Sequence, residues 1–254
     1  MTHSLSAAQI NFFNDHGYLI IRSLAGTAEV TQLRQLAEQD LAARQDPLEL
    51  EADVQYPGAP ANRSAPGGDT VRRLLEAYRR HPEFASWAGD PRITGRLQVL
   101  FGEQDIFLVQ SHHNCVMTKH PRYSSETHWH QDARYWAYTE SNLISVWLAL
   151  GFEEQANGGM QLIPGTHNIE FDEQRYDPEK FLHTDLQENQ ELIQQAVLAE
   201  LEPGDALFFH ARLFHAAGRN QTAKRKFALV YTYRSAGNPP LPDSKSTRLP
   251  EISL

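Results

Sequence analysis

Short apolar runs separated by turn signals make up most of the chain beyond residue 102. Five runs are rich in aromatic or β-branched residues: DIFLVQSHHNCVMTK, LISVWLALGFEE, GGMQLIPGT, GDALFFH and KFALVYTYR. The turns between them include Asn157-Gly158-Gly159, Pro164-Gly165 and Pro203-Gly204-Asp205. Short strands divided in this way are typical of a jelly-roll sandwich or barrel. We therefore expect a mainly β core over residues 103–235, followed by a C-terminal tail at 236–254.

The first 102 residues are expected to be mostly helical and to support this core. Ser6 with Gln9 three residues later is a capping-box signature for a first helix, and Gly17 can end that helix before the strand YLIIR. Further helices are predicted around Leu33, Leu36 and Leu41, from Asp69 to just before Pro82, from Asp90 to near Gly102, and roughly over residues 188–200.

Residues 46–68 contain four prolines and show no clear hydrophobic period. A stretch of this length without structure is usually functional or disordered in a compact domain. Both a lid over a binding site and a mobile insertion fit this pattern.

The composition excludes several classes of protein. A net charge of -9 argues against non-specific binding to nucleic acid or to an anionic membrane. Cys115 is the only cysteine, which excludes a disulfide framework and a cysteine-based zinc site. We expect Cys115 to be an ordinary buried thiol. The N-terminus lacks a signal-peptide pattern, and no apolar run is long enough to cross a bilayer. We expect a cytoplasmic protein with a small-molecule partner; the oligomeric state is not readable.

The stretch THWHQDARYW at 127–136 has the spacing of a metal site. Residues two apart on a strand share a face, so His130 and Asp132 project together, although His128 shares that face too. Two histidines and one carboxylate form the facial triad of non-haem Fe(II) oxygenases. The third ligand would come from GDALFFHARLFHAAGRN, which offers His210 and His215. A hydrogen-bonded surface pair is the alternative interpretation of His130 and Asp132.

Arg225 lies ten residues after His215 and opens another predicted strand. A buried arginine there could hold the far carboxylate of a dicarboxylate ligand through a bidentate contact. A surface arginine in the basic run KRK is the alternative.

The ordered set of motifs resembles the phytanoyl-CoA dioxygenase family, which includes ectoine hydroxylase-like enzymes. The resemblance rests on HQDARYWAYTESNLISVW, NGGMQLIPGTH and GDALFFHARLFHAAGRNQTAKRK, in that order, and on the opening helix, glycine turn and GYL strand. It covers most of the chain. It implies a single domain over residues 1–254 with a cupin-like double-stranded β-helix core and N-terminal helices packed outside.

The resemblance also implies a cofactor, a cosubstrate and their residues. Fe(II) would be bound by His130, Asp132 and His215. The cosubstrates would be 2-oxoglutarate and O2, with the far carboxylate of 2-oxoglutarate on Arg225. Further cosubstrate contacts are expected from Gln110, Asn114 and Trp147. The substrate pocket is expected to include His112, Tyr135, Trp136, His210 and Arg73.

The implied function is a 2-oxoglutarate-dependent dioxygenase that hydroxylates an unactivated C–H bond of a small molecule and releases succinate and CO2. An intact Asp132 favours hydroxylation, since related halogenases have a small residue at this position.

The sequence departs from the family pattern at two places. Ala216-Ala217 replaces the common Gly-Ser, and His215 and Arg225 lie one residue closer to each other than in relatives. The remaining histidines, His113 and His128 included, are expected to be hydrogen-bonded or exposed. Two alternatives stay open, a cupin-like metal-dependent isomerase or hydrolase and a non-catalytic jelly-roll binding module.

Overall fold

The computed structural model describes residues 4–54 and 56–254. Residues 1–3 and residue 55, which falls within the predicted segment 46–68, lie outside the described part. The helices are α1 (Ala7–His16), α2 (Thr27–Ala43), α3 (Glu51–Val54), α4 (Ala77–Arg80), α5 (Pro82–Ala88), α6 (Pro91–Phe101) and α7 (Gln187–Ile193). The strands are β1 (Tyr18–Ile21), β2 (Leu48–Leu50), β3 (Val71–Leu75), β4 (Ile106–Lys119), β5 (Thr127–His130), β6 (Ile144–Ala149), β7 (Met160–Leu162), β8 (Val197–Leu198), β9 (Ala206–His210), β10 (His215–Ala217), β11 (Lys226–Ser235) and β12 (Ile252–Ser253).

The strands form two sheets of unequal size. The larger sheet has the order β1-β9-β6-β11-β4-β3-β2, with β12 paired to β4, and the smaller has the order β5-β10-β7-β8. The pairings within both sheets are antiparallel. This arrangement is the jelly-roll core that the turn-punctuated strands predict.

Strand β11 divides the core into two layers by simple alternation. Phe227, Leu229 and Tyr231 pack against the helices, whereas Ala228 and Val230 pack between the sheets. Side chains on a strand alternate between faces, and every residue of β11 is buried because both faces are covered. The helical layer therefore covers the outer face of the large sheet and leaves the space between the sheets for a pocket.

Three helix termini form as the sequence predicts. Ser6 and Gln9 make both hydrogen bonds of a capping box, and Gly17 ends α1 with a φ of 77°. The Asp90 side chain accepts a hydrogen bond from the Arg92 N–H at the start of α6. These signals depend on local backbone geometry, which explains why they could be read without tertiary information.

The predicted third helix, from Asp69 to Pro82, is wrong. Residues 71–75 form strand β3, which pairs with β4 and β2, and the short helices α4 and α5 follow. The apolar spacing fits a strand as well as a helix over so few residues, and pairing to β4 decides between them.

Three other boundaries also differ from expectation. Segment 46–68 is not a structureless loop, since it contains β2 and α3. The predicted helix at 188–200 ends at Ile193, and β8 follows. The C-terminal tail contributes β12 to the large sheet. Within the described ranges, no helix is long and apolar enough to cross a membrane.

Candidate active site

His130 and His215 lie opposite each other on strands β5 and β10. Asp132 follows β5 in a tight 3-10 turn, which brings its carboxylate between the two rings. The Nε2 atom of each histidine is 3.5 Å from Asp132 Oδ1. All three side chains are buried, and their ligand atoms lie within 4.8 Å of one another. The structure therefore brings together the three residues that the family resemblance implies as ligands, with His215 rather than His210 as the second histidine.

Backbone carbonyls fix the orientation of both imidazoles. His130 Nδ1 donates to the carbonyl oxygen of His128 at 2.8 Å, and His215 Nδ1 donates to that of Leu213 at 3.0 Å. In a neutral imidazole this leaves the Nε2 lone pair available, and Nε2 is the atom that faces Asp132. Metal-binding histidines are commonly held in this way.

The Asp132 carboxylate has no hydrogen-bond partner for either oxygen among the residues that the structure describes. Burial opposes its ionisation, but the neighbouring His113 and His215 rings hold the pKa of Asp132 well below its ordinary range. A buried carboxylate without donors is costly unless a cation compensates it. The donor set of two neutral imidazoles and one carboxylate fits a divalent metal ion.

The pKa values of the two triad histidines shift in opposite directions, although Asp132 favours the charged form of both. Burial opposes charge on His215, but Asp132 raises its pKa above the ordinary value. Burial and the neighbouring His215 lower the pKa of His130. The site thus favours one positive charge next to Asp132, which is the role a bound metal cation would take.

A backbone irregularity in β4 brings a second pair of histidines to the same carboxylate. The pairing of β4 with β11 jumps from Asn114 to Val109, and His112 has a φ of 67°. His113 Nδ1 is 3.4 Å from Asp132 Oδ2 and 3.3 Å from the Ser145 hydroxyl. Residues 112, 113 and 132 form a second group with metal-ligand spacing. His113 is hydrogen-bonded, as expected from the sequence, but strict alternation along this strand did not place it beside Asp132.

The same irregularity corrects the placement of Gln110 and Asn114. Gln110 donates to the backbone carbonyl of Pro250, and the Asn114 side chain accepts a hydrogen bond from the Tyr78 N–H at 2.8 Å. Neither residue lines the pocket beside the triad. Their side chains instead connect β4 to the C-terminal segment and to α4.

The pocket beside the triad lies between the two sheets. Besides the triad, four residues predicted to contact cosubstrate or substrate line it, namely Trp147, His112, Tyr135 and Arg73. Tyr135 stacks on His112 with ring centroids 3.6 Å apart, and its hydroxyl lies 3.1 Å from that of Tyr56. Arg73 forms an ion pair with Glu49. Segment 46–68 thus supplies part of the pocket wall through Glu49, Val54 and Tyr56.

Two predicted pocket residues do not line it. Trp136 packs in a separate apolar cluster and donates from Nε1 to the Ser111 carbonyl at 3.1 Å. The His210 ring is next to His167, and its Nδ1 accepts a hydrogen bond from the Arg212 N–H at 3.0 Å. His210 precedes a turn that separates it from the triad strand β10.

The expected placement of Arg225 is also wrong. Arg225 lines two surface clefts on the other side of the large sheet, next to Arg34 and Lys224. Its neighbour Lys226 lines the pocket, because residues 226, 228 and 230 share the inner face of β11. Lys226 Nζ donates to Glu153 Oε2 at 2.5 Å, and Trp147 Nε1 donates to Glu153 Oε1 at 2.9 Å. Of the KRK run, Lys226 and not Arg225 lines the pocket beside the triad.

The comparisons with known proteins agree with this architecture. The rat protein "Phytanoyl-CoA dioxygenase, peroxisomal" is 24% identical over 241 residues, covering 91% of this chain and 69% of the relative. The structure of the carbocyclase SnoK from nogalamycin biosynthesis has a TM-score of 0.74 at 23% identity, covering 96% of this chain and 89% of SnoK. The structure of EctD from S. alaskensis with 2-oxoglutarate and 5-hydroxyectoine has a TM-score of 0.73 at 23% identity. The match covers 97% of this chain and 82% of EctD.

A family model supplies the assignment. The model for phytanoyl-CoA dioxygenase matches residues 13–228, a span that contains the triad, the pocket strands and Lys226. The chain therefore belongs to the phytanoyl-CoA dioxygenase family.

Proposed function

We propose that this protein is an Fe(II)- and 2-oxoglutarate-dependent dioxygenase that hydroxylates an unactivated C–H bond of a small molecule. The observation that carries the proposal is the buried cluster of His130, Asp132 and His215, in which neither carboxylate oxygen has a hydrogen-bond partner among the described residues. Family membership supports the same cofactor and cosubstrate.

The protein's part in this reaction is to hold the reactants. Two imidazole Nε2 atoms and the Asp132 carboxylate would hold the iron on one face and leave its other positions open to the pocket. Bound iron and 2-oxoglutarate supply the oxidising chemistry, with O2 as oxidant and succinate and CO2 as products. The low exposure of the triad keeps bulk water from the reacting atoms.

Lys226 is proposed to bind the far carboxylate of 2-oxoglutarate, in place of the expected Arg225. It lies on β11, the strand expected to supply the cationic contact, and it lines the pocket together with Trp147. A lysine ammonium binds a carboxylate as a point charge rather than as a bidentate fork. Gln110 and Asn114, which lie outside the pocket, are not part of this proposal.

The charges around the pocket also fit the binding of iron and 2-oxoglutarate together. Four cations line it, namely Arg72, Arg73, Lys119 and Lys226. The carboxylates in ion pairs with them are Glu49, Glu51 and Glu153. These four cations and their three carboxylate partners thus have one more positive than negative charge before Asp132 is counted. A divalent iron with Asp132 and a dianionic keto acid has one excess negative charge, which this surplus balances.

The substrate is proposed to lie against His112, Tyr135 and Arg73, at the end of the pocket that segment 46–68 covers. Aromatic rings and one paired guanidinium at this end favour a partly apolar small molecule with a polar group. The other side chains expected there, Trp136 and His210, face elsewhere. Segment 46–68 is proposed as the lid because three of its residues already form the pocket wall.

Anaerobic reconstitution tests the proposal. The wild-type protein with Fe(II) and 2-oxoglutarate should develop a weak visible charge-transfer band, and admission of oxygen with a substrate library should release succinate. Asp132→Ala and His215→Ala should abolish both signals. The matched control is His128→Ala, which removes an exposed imidazole two residues from His130 and should leave both intact.

The outcomes separate the competing functions. A gain of one oxygen in the product indicates hydroxylation, and a loss of two hydrogens indicates desaturation or ring closure. Turnover without 2-oxoglutarate would favour a metal-dependent isomerase or hydrolase. Absence of both the band and succinate in the wild type, with ligand binding unchanged in Asp132→Ala, would favour a binding module.

A further inference from the structure

The turn that contains Asp132 also contains an arginine that faces away from the triad pocket. Arg134 follows Asp132 in the same 3-10 turn. Its Cζ atom lies 5.1 Å from the centre of the Tyr135 ring and 4.1 Å from that of the Phe181 ring. Both rings also contact the His130 ring, with centroids 5.9 and 5.7 Å apart. Arg134 is therefore separated from a proposed metal ligand by a single layer of aromatic side chains.

The guanidinium of Arg134 has no counter-ion in the part of the chain that the structure describes. Its Nη1 atom is buried and has no hydrogen-bond partner there. Within residues 4–54 and 56–254, the structure records no carboxylate within 4.0 Å of Arg134, whereas two neighbouring cations, Arg212 and Lys180, form ion pairs with Glu170 and Glu173. A partly buried cation without an anion is unfavourable, so a bound anion would stabilise this arrangement.

A second cation lies next to Arg134. Lys245 Nζ donates to the backbone carbonyl oxygen of Arg134 at 2.6 Å. Burial, and then the charge of Arg134, lower the pKa of Lys245. The ion pairs recorded for the described residues include none of Lys245 either. Two like charges thus lie close together, which increases the attraction of this surface for an anion.

Arg134 lines a surface cleft of about 270 Å³ that is distinct from the pocket beside the triad. The opposite wall is partly apolar, since it includes Ile169, Phe171 and Tyr176, and Ile169 is 45% exposed. A guanidinium binds a carboxylate through two parallel hydrogen bonds, and the apolar wall suits a short hydrocarbon or aromatic body. The volume limits the ligand to a small molecule.

We propose that Arg134 anchors a second ligand site, in which the cleft binds a small organic acid by its carboxylate. The free N–H groups of Arg134 bind the carboxylate, Lys245 adds positive charge beside it, and the apolar wall contacts the body of the acid. This site does not depend on the reaction at the triad.

The alternative is that Arg134 only holds the Tyr135 and Phe181 rings together through cation–π contacts. The two roles differ in what they need from neighbouring charges. Lys245 contacts the Arg134 backbone and is not recorded against either ring, so its charge matters to a bound acid but not to the ring contacts.

Calorimetry on the metal-free protein tests the site with benzoate as the probe. Benzyl alcohol has a similar ring without the charge, and acetate has the charge without the ring, so benzoate should bind more tightly than both. Arg134→Gln should weaken benzoate ~10- to 100-fold, the loss typical of a hydrogen bond between charged groups. Arg134→Lys keeps the charge and should retain more of the affinity. Lys224→Gln is the control, since Lys224 is exposed and does not line this cleft.

Two results would overturn the site. One is a wild-type protein that binds benzoate no better than benzyl alcohol, and the other is an unchanged benzoate affinity in Arg134→Gln. If Arg134→Gln does not fold, Lys245→Gln takes its place, because it removes an exposed charge and leaves the ring contacts of Arg134. It should weaken benzoate about 2- to 5-fold, as expected for a solvent-exposed charge interaction, and an affinity equal to that of Lys224→Gln would favour the cation–π role alone.

Occupancy of the cleft should also affect the metal site, because Asp132 and Arg134 share one turn. A bound acid orders this turn and neutralises a positive charge near the metal, so saturating benzoate should raise the affinity for Fe(II) at least ~5-fold. Competition with a chromophoric chelator under anaerobic conditions measures this without turnover. The increase should disappear in Arg134→Gln. An increase that this variant retains would place benzoate in the triad pocket, and no increase in the wild type would overturn the coupling.

Discussion

His130 and His215 are register partners on antiparallel strands, and both present Nε2 to the same oxygen of Asp132 at 3.5 Å. The two histidines belong to segments far apart in sequence, so this site exists only when β5 and β10 pair. Metal binding should therefore stabilise the folded chain, because the unfolded chain lacks the site.

Asp132→Asn should abolish that stabilisation. For the wild type, free Fe(II) at 100 times its Kd should add about 2.7 kcal/mol to the free energy of unfolding. For a chain of this size that corresponds to a rise in Tm of roughly 5–10 °C. Anaerobic thermal unfolding with and without Fe(II) measures the effect. His128→Gln should keep the full rise, and a rise retained by Asp132→Asn would exclude the carboxylate as a ligand.

Lys226→Met should destabilise the protein far more than Arg225→Met. Removing Lys226 leaves the Glu153 carboxylate buried without its cation, which typically costs about 3–5 kcal/mol. Arg225 is half-buried at a surface cleft, and its substitution should change the free energy of unfolding by no more than about 0.5 kcal/mol. Urea unfolding of the metal-free proteins measures both.

A double substitution tests whether the unpaired Glu153 carboxylate causes the loss of stability in Lys226→Met. Lys226→Met combined with Glu153→Gln should recover part of the lost stability, since the amide removes the unpaired charge. If Arg225→Met costs as much as Lys226→Met, or if it alone weakens binding of 2-oxoglutarate, the assignment of Lys226 is wrong.

His113→Ala should weaken metal binding without removing a ligand. His113 Nδ1 is 3.4 Å from Asp132 Oδ2, the oxygen that the triad histidines do not face. Loss of a group that orients a metal ligand typically lowers metal affinity about 10- to 100-fold. Competition with a chromophoric chelator measures the affinity. His113→Asn, which keeps an N–H donor, should retain more of it, and equal losses in the two variants would contradict an orienting role.

Local signals in the sequence predicted the parts of the fold that depend on local geometry. The Ser6 capping box, the Gly17 turn and the Asp90 cap each involve neighbouring residues, and all three form. The spacing of His130 and Asp132 likewise needs only the strand period and a short turn. The jelly-roll core was readable from turn signals and apolar runs of strand length.

The errors arose where pairing between distant strands decides the outcome. The irregularity at residues 110–113 of β4 shows only in its register with β11, so alternation misplaced Gln110 and Asn114. Alternation along KFALVYTYR separates Arg225 from Lys226, but the sequence does not reveal which face of β11 meets the pocket. Strand β3 could not be distinguished from a helix until its partners β2 and β4 were known.

Protonation of His210 should destabilise the fold in mild acid. Burial lowers the pKa of His210 to about 3, below the ordinary value of 6.5. The folded state therefore binds fewer protons than the unfolded state between these values, and stability present above pH 6.5 decreases as the pH falls towards 3. From pH 7 to pH 5 the contribution of this one group is a loss of about 2 kcal/mol.

Urea unfolding of the metal-free protein at the two pH values isolates this contribution. His210→Gln should show a pH-dependent loss about 2 kcal/mol smaller than that of the wild type, because glutamine does not titrate. The partly exposed His183 provides the control, since His183→Gln should retain the wild-type dependence. An identical loss in His210→Gln and the wild type would show that His210 does not titrate differently in the folded and unfolded states.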